Sequence, residues 1–183
     1  MKYSKNYERS ETMNIAVKEL SVNDGIEELE MLKSFPFEEN GFQRSASDED
    51  LLNLDSFKKW LKRKEDNSKG IGLKEGWVPD TTYWVLLDNK PVGVIKVRQK
   101  LNEQLMHTGG NIGYGIAPQF RGKKIMKEAL KLILPLINKK YNIKKALISV
   151  DYDNIPSQRV VLSVGGEVSY EEHEKFFYWV PTE

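Results

Sequence analysis

The chain has 183 residues, 39% of them apolar and 30% charged, which suits one globular domain large enough to bury a continuous core. A formal net charge of +1 gives no global field to attract nucleic acid or a membrane surface. The absence of cysteine excludes disulfides, thiolate catalysis and cysteine zinc sites.

The first residues, MKYSKNYERSETM, are polar and lack the apolar core of a signal peptide. No apolar run reaches the length of a transmembrane helix. Residues 1–12 therefore read as a flexible extension ahead of a single domain over 13–183, and the default location is cytoplasmic. Residues 13–20 alternate, with Ile15 and Val17 on one face, and predict a strand. Asn23 and Asp24 are capping types ahead of a short helix carrying Ile26, Leu29 and Leu32. Residues 34–41, with Pro36 and a glycine, predict a loop or short turn. Ser47 or Asp48 is expected to cap a second helix whose apolar face holds Leu51, Leu52, Leu54, Phe57, Trp60 and Leu61. Residues 63–81 are charged and glycine-rich and predict an exposed loop.

Period two takes over in residues 82–87 and 92–98, around the turn signal Asp88, Asn89, Lys90 and Pro91. Residues 99–109 lead to a third strand over 111–116, which Pro118 stops. The clearest helix covers 122–138: Ile125, Met126, Ala129, Leu130, Ile133, Leu136 and Ile137 recur at helical spacing. Pro135 within it predicts a kink or an early end. A buried strand over 146–150, a short helix over 155–164 ended by Gly165 and Gly166, and strands over 168–170 and 176–180 close the chain. The β-α-β crossover requires at least one parallel pair. The fold class is α+β, with a mixed, mostly antiparallel sheet and helices on both faces.

The strand, turn and helix over 111–130 hold the chemistry. A helix start carries unpaired N–H groups and the positive dipole end, and Arg121, Lys123 and Lys124 add charge there. This reads as an anion site suited to a pyrophosphate, or as a solvated basic face. Basic residues at a positive helix end are unfavourable without an anion, which favours the former. Gly113 and Gly115 mark either a close approach of a ligand or backbone, or a twist in the strand. The glycines at 110, 113 and 115 lie inside a strand rather than between strand and helix, so they are no dinucleotide fingerprint, and no Walker A sequence is present.

The run Ile116, Ala117, Pro118, Gln119, Phe120, Arg121, Gly122 and Lys123, followed by an apolar helix, resembles the acetyl-CoA motif of the GNAT acetyltransferase superfamily. Asp153, Asn154, Ile155, Pro156 and Ser157, with Gly165 and Gly166 downstream, resemble its second signature. Val78 and Pro79, Tyr83 and Trp84, Gly93 and Val94, and the run Gly109 to Tyr114 are similar to an uncharacterised bacterial GNAT subgroup. The resemblance spans residues 13–181. It implies an acyl-CoA N-acyltransferase fold, with acetyl-CoA as co-substrate. The pantetheine arm would lie between splayed strands ending at Ile116 and at 146–150, with Ile116 and Ala117 beside it. The pyrophosphate would rest on Gly122, Lys123, Lys124, Ile125 and Met126, with Arg121 alongside and Asn154 and Ser157 as further contacts. The amine of a small molecule or peptide would attack the thioester directly, without a metal or a covalent enzyme intermediate. A homodimer through the C-terminal strands is one assembly that the resemblance implies.

The sequence departs from the family pattern at three positions. Lys124 stands where the motif has glycine, Met126 where it has a small residue, and Val161 where many members place an acidic tyrosine. Tyr114 and Ser157 are the substitute candidates for that acid, set against roles in packing and in helix capping. His107 is a candidate base or an ordinary loop histidine. Glu38 and Glu39 read as a substrate wall for a cationic amine or as solvated charges. A catalytically impaired acyl-CoA binding or sensing module is the alternative function.

Overall fold

The computed structural model describes residues 13–183, so the extension expected over 1–12 lies outside the described residues. In chain order the elements begin with β1 (Ile15–Glu19), α1 (Ile26–Lys33), β2 (Glu38–Glu39), β3 (Phe42–Gln43) and α2 (Leu54–Ser68). They continue with β4 (Asp80–Leu87), β5 (Lys90–Arg98), α3 (Glu103–Thr108) and β6 (Ile112–Ile116). A short 3-10 turn, Pro118–Phe120, leads to α4 (Ile125–Tyr141) and β7 (Lys145–Asp151). The chain closes with α5 (Ile155–Ser163), β8 (Glu167–Glu172) and β9 (Lys175–Pro181).

The strands form one antiparallel sheet in the order β1-β4-β5-β6 and another in the order β7-β9-β8, with the β2–β3 hairpin apart. Side chains alternate across the first sheet. Tyr83, Val85, Ile95 and Val97 face the core under α4 and α5, which also takes Ile148 and Val150 from β7. Trp84 and Val94 face the core under α1 and α2, with Leu29, Phe57 and Trp60. Helices thus cover both faces, as the α+β reading requires, but the expected parallel pair does not form among the described residues: β6 and β7, on either side of α4, separate instead of pairing.

Several boundaries differ from the sequence reading, for local reasons. Ser47 does not cap a helix. It exchanges bonds with Asp50, its N–H donating to Asp50 Oδ2 at 3.0 Å and its Oγ accepting from the Asp50 N–H at 3.1 Å. Asn53 is the cap of α2, its Oδ1 accepting from the Ser56 N–H at 2.9 Å, so Leu52 and Leu54 stay exposed. That helix runs on to Ser68 because Lys64, one turn beyond Trp60, is buried against Asp80 at 2.5 Å. The predicted loop therefore shrinks to residues 69–79. Inside the 99–109 connection, Asn102 Oδ1 caps α3 through the Leu105 N–H at 2.9 Å. Pro135 neither ends nor breaks α4. It faces solvent, where the carbonyl it leaves unpaired is open to hydration, while seven apolar side chains bury the opposite face.

Candidate active site

The site opens where the two sheets meet. No ladder joins β6 to β7. Asn111, 2% exposed, stitches them at one end. Its N–H donates to the Leu147 carbonyl at 2.7 Å, and its Oδ1 accepts from the Leu147 N–H at 2.9 Å. Its Nδ2 donates to the Arg98 carbonyl at 3.2 Å. The main-chain N–H and the side-chain oxygen of one residue thus make the pair of bonds that a ladder would supply. Gly110, with φ +64°, makes this approach possible, since a Cβ there would run into the Leu147 carbonyl. Past that stitch the strands separate and enclose a cleft of about 780 Å³, walled by Ile112 to Ile116 on one side and Ile148 to Asp151 on the other.

The loop from Phe120 to the first turn of α4 closes one end of the cleft. Lys124 holds φ +61° and ψ +11°, a left-handed conformation that costs a lysine roughly 1–2 kcal/mol. Glycine, which the resemblance leads one to expect here, adopts this conformation without that cost. No side chain caps α4, and its first ladder bond runs from the Glu128 N–H to the Lys124 carbonyl at 3.3 Å. The first-turn amides thus lack a side-chain cap, and their residues Ile125, Met126 and Lys127 border the cleft at the positive dipole end. Lys124 and Lys127 border the cleft without an acidic partner among the described residues, as does Arg159 of α5. Lys123 lies over the Phe120 ring at 5.5 Å. Arg121 donates through Nε to the Ile116 carbonyl at 3.0 Å and grips Glu39 with both terminal nitrogens, at 3.2 and 2.6 Å. The guanidinium holds the Glu39 carboxyl below its ordinary value.

A hydroxyl pair spans the walls. Tyr114 of β6 and Ser157 of α5 are hydrogen-bonded oxygen to oxygen at 2.7 Å, and both line the cleft. Burial pushes the Tyr114 phenol up to about 12, with the Ser157 bond pulling the other way. Asn154 caps α5 by accepting the Ser157 N–H at 3.2 Å and donates through Nδ2 to the Asn40 carbonyl at 3.0 Å.

Residues 37–167 match the family model described as the acetyltransferase (GNAT) domain, which is most of the chain. The chain belongs to the GNAT acetyltransferase family. Its fold is similar to that of ribosomal-protein-S5-alanine acetyltransferase from Vibrio fischeri, with TM-score 0.65, 15% identity, and 92% of this chain and 93% of that chain covered. Mycobacterium smegmatis RimJ, solved with CoA-disulfide, aligns with TM-score 0.66 at 14% identity over 91% of this chain and 80% of its own. Campylobacter jejuni N-acetyltransferase PseH, solved with acetyl coenzyme A, gives 0.59 at 13% identity over 93% and 100%. Among curated proteins, none matches the sequence.

Of the positions that the GNAT resemblance points to, Ile116, Arg121, Gly122, Lys123, Lys124, Ile125, Met126, Asn154 and Ser157 all border the cleft. Met126 is also packed into the core, which accounts for an apolar residue at that place. Ala117 lies elsewhere. It is fully buried against α1 and α2, and its N–H is committed to the Val92 carbonyl at 2.9 Å. His107 is also apart from the cleft lining: its Nδ1 pairs with Glu172 Oε2 at 2.7 Å and ties α3 to β8. Glu38 is exposed on the hairpin, whereas Glu39 reaches the cleft and is held by Arg121. Val161 is fully buried in the core. Asn111, Lys127 and Arg159 escape the sequence reading. A polar residue opening a strand and basic residues on amphipathic helices look ordinary until the topology brings them to one gap. No group of acidic and histidine side chains suited to a metal occurs among the described residues, and no described helix is long and apolar enough to cross a membrane.

Proposed function

We propose that the protein transfers the acetyl group of acetyl-CoA to a primary amine of a small molecule or peptide, by direct attack. The observation that carries this reading is the ladder-free gap between β6 and β7, which ends at the uncapped start of α4. An extended amide-bearing arm fits between two strands that do not pair with each other. A diphosphate fits first-turn amides flanked by Arg121 and Lys124. Acetyl-CoA would supply the activated thioester. The amine nitrogen forms the new amide bond to the thioester carbonyl carbon as the C–S bond breaks, and the amine proton passes to water. Tyr114, still protonated at neutral pH, donates its hydroxyl proton to the departing thiolate and regains one from the water that took the amine proton, with Ser157 orienting that hydroxyl.

The hydroxyl pair supports transfer over the impaired-module alternative, because Tyr114 can serve as an acid where buried Val161 cannot. A protein N-terminal amine is the first acceptor to test, since one structural neighbour acts on the alanine of ribosomal protein S5. This reading places the protein in the cytoplasm, with a homodimer as one assembly. Thiol release from acetyl-CoA should appear on adding N-terminal alanine and serine peptides or a set of small amines, and should fall in Tyr114→Phe. Absence of release with every amine, despite tight acetyl-CoA binding, would favour the sensing alternative.

A further inference from the structure

The β2–β3 hairpin is anchored at its base and tied at its tip. At the base, buried Arg44 donates to the Phe35 carbonyl at 3.0 Å and the Ala46 carbonyl at 2.8 Å. Phe42 packs on Phe35 with ring centroids 5.7 Å apart, above Gly115, where a Cβ would press on both rings. The tip turns at Asn40 and Gly41, both left-handed, as a two-residue hairpin requires. From there the tip makes one polar link to each wall of the cleft. Glu39 holds Arg121, which follows β6. The Asn40 carbonyl accepts from Asn154, which follows β7. Both side chains that fasten the tip, Arg121 and Asn154, also border the cleft.

We propose that this hairpin is a strap across the cleft mouth and that Glu39 sets cofactor affinity by competing with the diphosphate for Arg121. The inference rests on the acetyl-CoA reading above. A guanidinium has five N–H donors. Its forked edge is taken by Glu39 and its Nε by the Ile116 carbonyl, so no paired set of donors remains for a phosphate. An anionic ligand at this end also meets the Glu39 carboxylate as a like charge. A forked contact from Arg121 to phosphate therefore requires it to exchange Glu39 for the ligand, and the tip then loses its tie to that wall. The hairpin opens as the cofactor seats, which couples cofactor binding to access from the hairpin side. Glu39 is thus a positioning residue that acts through Arg121.

The test is titration calorimetry of acetyl-CoA into wild type, Glu39→Gln, Glu38→Gln and both Glu39→Gln and wild-type Glu39 in an Arg121→Gln background. Amide exchange of residues 37–44 is measured alongside. Glu39→Gln should tighten binding about three- to tenfold, from loss of one exposed ion pair and one repulsion. Glu38→Gln, which removes the same charge one residue away, should change it less than about twofold. In the Arg121→Gln background the Glu39 effect should shrink to the like-charge part, about twofold or less, and exchange in the hairpin of the free protein should quicken. Weaker or unchanged binding in Glu39→Gln, or an equal gain in Glu38→Gln, overturns the strap. If no form binds acetyl-CoA, the functional reading itself fails. The strap is then judged on exchange alone, and unchanged protection in Arg121→Gln overturns it.

Discussion

Lys124→Gly should make the protein more stable and its cofactor binding weaker. Lys124 sits at φ +61° immediately before α4, and its charge lies at the positive end of that helix. Relieving the left-handed lysine is worth roughly 1–2 kcal/mol, and removing the misplaced charge about 0.3–1 kcal/mol more. Glycine returns about 0.5–1 kcal/mol through the freedom it adds to the unfolded chain. The net gain is about 1 kcal/mol, or about 2–4 °C in Tm for a chain of this length. The same change removes an unpaired ammonium from the cleft, which should weaken acetyl-CoA binding about three- to tenfold. Scanning calorimetry and ligand titration on one preparation read both effects. A stabilised variant with weaker binding identifies strain kept for the ligand. An unchanged or lower Tm refutes the strain argument, and unchanged affinity refutes the ligand role.

Tyr114→Phe should lower kcat about 10²-fold while leaving acetyl-CoA affinity nearly unchanged. Its phenol is raised to about 12, so the acid stays protonated, and loss of that proton should limit the wild type only as pH climbs toward that value. Asn111→Ala leaves buried backbone groups of Leu147 and Arg98 unpaired and should cost about 2–4 kcal/mol in urea unfolding, with weaker cofactor binding as the stitch opens. Burial lowers Lys96 to about 8, against the opposing pull of Asp80, from an ordinary 10.5. Between those values the unfolded chain holds a proton that the folded chain has released, so stability should rise with pH across that window. Lys96→Met should flatten the rise, leaving Asp80 paired with Lys64; a persisting slope assigns it to another group.

The sheet strands and α4 were legible because their periodicities of two and 3.6 are set by which faces are buried. The loop ahead of α4 was legible as a turn from Pro118 and Gly122, but nothing local shows that Lys124 takes a left-handed conformation. Residues 34–41 read only as a loop or short turn, and nothing local says that Glu39 reaches Arg121, 82 residues away. Asn53 was passed over as a cap because Ser47 and Asp48 offered an earlier one, and only the local pairing of Ser47 with Asp50 decides between them. Asn111 reads as the polar start of a strand; its role depends on Leu147, which α4 delivers from the other sheet. Tyr114 and Ser157 were candidates separately, and only the fold joins them at 2.7 Å.

The central claim is that acetyl-CoA binds between β6 and β7 with its phosphates at the start of α4. The most direct measurement is calorimetric titration of the protein with acetyl-CoA, with desulfo-CoA and ATP as controls, in wild type and Arg121→Gln. Both CoA species should bind with about micromolar affinity, at least about tenfold weaker in Arg121→Gln, with no comparable binding of ATP. No binding of acetyl-CoA, or binding that ignores Arg121, would contradict it.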